Sequence, residues 1–100
     1  MPYIVLSERK KFENVLYVIN KKLLVNDNKV SVGELNYVIS SIVWKIFEAD
    51  ASYTLGNSLM GVLECVKQEF YRRKLGPYED EKLKQHGDIW VVNVKYNPEN

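Results

Sequence analysis

Apolar residues recur along this chain in steps of three and four, in three long stretches. Phe12, Val15, Leu16, Ile19 and Leu23 form the first, which predicts a helix over about residues 8–24 with Ser7 as its N-cap. The turn-rich "NDNK" of residues 26–29 should end it. Leu35, Val38, Ile39, Ile42, Val43, Ile46 and Phe47 predict a second helix over about 31–48. Its start carries Ser-x-x-Glu, Ser31 and Glu34, the pattern in which serine and glutamate each satisfy a free backbone N–H. Leu55, Leu59, Val62, Leu63, Val66 and Phe70 predict a third helix over about 53–74, capped by Ser52 or Thr54.

Gly76 and Pro77 are expected to stop that helix, since glycine favours helix ends and proline lacks the N–H that a continuing helix needs. A short fourth helix over 77–86 would then begin at Pro77. Glu79, Asp80 and Glu81 would sit at its positive end, and Gly87 would close it. Leu83 is its one strong anchor and would lay it against the third helix. Residues 2–6 and 89–96 read as extended and could pair as a β-ribbon. The expectation is a single all-α domain over residues 1–100, with four helices and extended ends.

Two faces do not fit a simple inward stripe. On the second helix, Tyr37 and Trp44 lie seven apart, opposite the apolar face, which suggests burial in the fold or an interface between subunits. On the third, Arg73 follows Leu55 by five turns at about 100° per residue, so it returns to the apolar stripe. Glu69 precedes it by one turn. That pair reads either as a salt bridge reaching out where the core thins, or as a lined pocket in which Glu69 aims Arg73 at an anion. Asn36 flanks the apolar face of the second helix and needs a hydrogen-bond partner there, from the chain or from a ligand.

Composition narrows the class. With 46% apolar residues the chain is built to fold. It has 14 basic and 13 acidic residues, and neither half departs from balance, so no broad field draws it to nucleic acid or to an anionic membrane. The one cysteine, Cys65, excludes an internal disulfide and a multi-cysteine zinc site, and it suits a reducing cytoplasm. No apolar run approaches the roughly 20 residues that span a bilayer. His86, the only histidine, suits the negative end of a helix and has no second ligand for a metal. No nucleophile–base pair, phosphate loop or zinc motif appears. Catalytic residues, metal ligands and a cofactor are therefore not assigned.

The blocks "PYI" at the start, "GELNYVIS" at 33–40, "GVLECVKQEFYRR" at 61–73 and "PYEDEKLKQHGD" at 77–88 occur in that order. They resemble an uncharacterised domain-of-unknown-function family of short proteins from prokaryotes and their phages, and the resemblance spans residues 2–88. The segment "ASYTLGNSLM" before the third helix departs from the family's form. The resemblance implies a phage or mobile-element setting, hence the host cytoplasm, and an accessory or anti-defence role; it supplies no activity.

Two readings of function follow. In the first, a non-enzymatic homo-oligomer sequesters a small anionic ligand such as a nucleotide signal. Arg73 and Arg72 would meet phosphate, Tyr37, Tyr71 or Tyr78 would stack on a base, and Glu69 and Asn36 would orient the site. In the second, the chain is a protein-binding inhibitor or assembly factor acting through a helical surface that includes Tyr37, Trp44 and Trp90.

Overall fold

The computed structural model describes residues 3–25, 27 and 29–89, and over them the protein is all-α. The helices are α1 (Leu6–Leu23), α2 (Val32–Ala49) and α3 (Tyr53–Phe70). A π-helical turn, Tyr71–Leu75, follows α3 directly and runs directly into α4 (Gly76–His86). Backbone helicity is therefore unbroken from Tyr53 to His86, and the expected stop at Gly76-Pro77 is a change of winding. Three helical runs replace the four separate helices expected from sequence.

The chain divides within α3 into two compact units, Met1–Gly61 and Val62–Asn100. In the first, α1 begins at Leu6 with Val5 as an N-cap that lends no side chain, so Ser7 lies inside the first turn instead of capping it. Arg9 donates its Nε–H to the Ile4 carbonyl at 3.0 Å, which ties the approach to the helix but leaves the first-turn N–H groups without a side-chain cap. Ser31 caps α2, its Oγ accepting the Glu34 N–H at 3.4 Å. Ser52 caps α3 more tightly, its Oγ accepting the Leu55 N–H at 3.0 Å. Removal of a good cap costs about 1 kcal/mol. Ser52→Ala should therefore lower the midpoint of helix melting more than Ser31→Ala, as followed by circular dichroism. Equal shifts would show that the shorter bond carries no extra weight.

Half-buried apolar residues in this unit come from all three helices: Ile19 and Leu23 from α1, Val38 and Val43 from α2, Leu55 and Leu59 from α3. Gly56 lets the Phe47 ring approach α3 closely; a Cβ built there would meet the ring at 3.4 Å. Yet no described residue, in either unit, is buried. In the second unit the half-buried described residues are Glu69, Gly76 and Asp88, and Val62, Val66 and Phe70 are all exposed.

The π turn is the local answer to Pro77. In an α-helix proline cannot give an N–H to the carbonyl four residues back, and its ring crowds that carbonyl. Here the Gly76 N–H reaches the Tyr71 carbonyl, five residues back, and the wider turn relieves the crowding ahead of the ring. α4 ends at Gly87, whose φ of 88° lies in the left-handed region and whose N–H bonds the Leu83 carbonyl at 2.8 Å. Leu83 is itself exposed, and α4 continues the helix before it instead of lying on it. Tyr3–Val5 form no strand, and the strand expected over 89–96 lies, beyond Ile89, outside the described residues, as does Trp90. Among the described residues no helix is long and apolar enough to cross a membrane.

Candidate functional site

The sequence-derived candidates fall into two groups, one on each unit. In the second unit the π turn places two arginines, a tyrosine and a proline next to Glu69. The Glu69 side chain is only 24% exposed, the least exposed of the acids in ion pairs. Arg72 holds it through one guanidinium nitrogen, Nη2, which donates to both carboxylate oxygens at 3.1 and 3.0 Å. Arg73, the partner expected from the i,i+4 spacing, stands farther off, its Nη1 3.9 Å from the same carboxylate. Residues three and four positions on are both within reach of a helical glutamate, so spacing alone does not decide between adjacent arginines. Both arginine side chains are more than half exposed, and such a pair contributes at most about 1 kcal/mol.

Glu69, Tyr71, Arg72, Gly76, Pro77 and Asp80 line a cleft of about 510 Å³ at the turn. Its charge is mixed. Two carboxylates face one guanidinium, and that guanidinium already serves Glu69. Glu79, one of the acids that complements the helix dipole in the sequence reading, has a second effect. Its negative charge, and then its acceptance of a hydrogen bond, raises the Tyr71 pKa above the ordinary 10.0, with burial and the Asp80 charge adding to the shift. The raised value means that the folded protein favours the neutral phenol. Any stability from this contact is present below the ordinary tyrosine pKa and is lost as pH rises through the higher folded value. In an ultraviolet titration Tyr71 should ionise late, and Glu79→Gln should bring it back toward 10.0. A titration unchanged by that substitution would remove Glu79 as the cause.

Tyr78 does not present a bare ring for stacking: Lys82 Nζ lies 5.5 Å from its centroid, in cation–π contact. His86 occupies the last turn of α4. Cys65 is exposed on α3.

In the first unit, Asn36 is exposed and its Oδ1 accepts the Ser40 hydroxyl at 2.9 Å, a partner one turn away on the same helix. Tyr37 is 73% and Trp44 70% exposed. Tyr37 borders a cleft of about 490 Å³ between α1 and α2, with Ile19, Leu23 and Val38 among its apolar lining. A second, more apolar cleft of about 610 Å³ is formed by Tyr3, Ile4, Phe12, Val15, Leu16 and Ile42, with Arg9 at its edge. Among the described residues no group of three His, Cys, Asp or Glu side chains could hold a metal ion.

Sequence reasoning offered a lined pocket beside Glu69 but missed the π turn that shapes this cleft, because it placed a break at Gly76-Pro77. The signal was the five-residue step from Phe70 to Leu75 in a series that otherwise moves by threes and fours. A turn closed by an i→i+5 bond brings position 75 back over position 70, so the step marks the wide turn.

The family described as "Domain of unknown function (DUF6899)" matches residues 1–89. No curated protein matches the chain. No solved structure matches it either.

Proposed function

The chain belongs to the DUF6899 family, and on that premise we propose that it is a non-enzymatic protein that works by association through its helix faces, as a protein-binding inhibitor or assembly factor. One observation carries the reading: no described residue is buried, while large apolar and aromatic side chains stand exposed on every helix. Faces of this kind mark interaction surfaces. Tyr37 and Trp44 on α2 have the side chains that most often anchor protein interfaces. The phage setting and anti-defence role implied by the family resemblance belong to this proposal. The test is capture from the host cell with the full chain as bait. One partner in stoichiometric amount, identified by mass and lost with Trp44→Ala, is expected. Capture that ignores Trp44 would remove α2 from the surface, and no stoichiometric partner would remove the role.

A second reading, sequestration of a small anionic ligand such as a nucleotide, is favoured by Arg73. Its guanidinium makes only a long contact with Glu69 and is 57% exposed, which leaves donors for a phosphate. The mixed charge of the neighbouring cleft and the Lys82 cation over Tyr78 weigh against it. A rise in melting temperature with a nucleotide, abolished by Arg73→Ala, would support it.

A further inference from the structure

We draw no further inference here: the strongest candidate, the apolar cleft between α1 and α2 lined by Phe12, Val15, Leu16 and Ile42, is an exposed face, and nothing in the structure shows what covers it.

Discussion

Gly76→Ala is expected to destabilise the second unit by about 1 kcal/mol, although alanine in an ordinary helix interior stabilises by about that amount over glycine. The reason is a single contact. A Cβ at position 76 would lie 3.0 Å from the Tyr71 carbonyl oxygen, tighter than nine in ten real contacts of that kind. That oxygen is the acceptor for the Gly76 N–H itself, so it cannot move aside without lengthening the bond that closes the turn. The effect should depend on Pro77. In Pro77→Ala the missing N–H is restored and the ring is gone, so an α-helical turn becomes available and the close approach is no longer required. In that background Gly76→Ala should turn from destabilising to stabilising. The coupling in a double-mutant cycle, read from thermal melts at one fixed concentration, should be about 1–2 kcal/mol. Additive effects would mean that the π turn does not depend on the proline.

Gly87→Ala should be destabilising by roughly 1–3 kcal/mol, for a different reason. With φ at 88° and ψ at 145°, Gly87 occupies backbone territory that side chains with a Cβ rarely enter. The substitution forces a choice between a strained residue and loss of the Gly87 N–H bond to Leu83. Since α4 is exposed from Pro77 to His86, fraying of the last turn is the easier response. Hydrogen exchange should therefore rise at residues 84–87 and stay unchanged at 62–70. Uniform loosening of the whole unit would show that the end of α4 is coupled to more than its own last turn.

The helices were legible because their signals are local. Ser31 and Ser52 advertise their starts by side-chain chemistry, and the three-and-four spacing of Leu35 to Phe47 leaves no room for a strand. Gly87 announced a stop and makes one. The misreading at Gly76-Pro77 came from treating two residues as a rule of termination, when the backbone had a second way to accommodate proline. Ser7 failed as a cap because a cap is defined by where the helix begins, and it begins at Leu6, two residues earlier than expected. Glu69 was singled out correctly as a residue with neighbours, but its stronger partner is Arg72, since choosing between two long, adjacent guanidinium groups is a matter of rotamers, which spacing does not encode. Asn36 was expected to need help in a partly buried place. It stands in solvent with Ser40, because the face it flanks is not covered within the described residues of the chain.

The five residues from Tyr71 to Leu75 can also be counted as length. An α turn would close with one residue fewer, so the helix stores a single residue of slack at this place. Removing one residue elsewhere in α3 or α4 would swing everything beyond it by about 100° and scatter the exposed apolar edge. Removing one from 71–75 could be absorbed by rewinding, with Pro77 left as the only obstacle. The segment is therefore where the chain best tolerates a change in length, and such a deletion should cost more with Pro77 present than with Pro77→Ala.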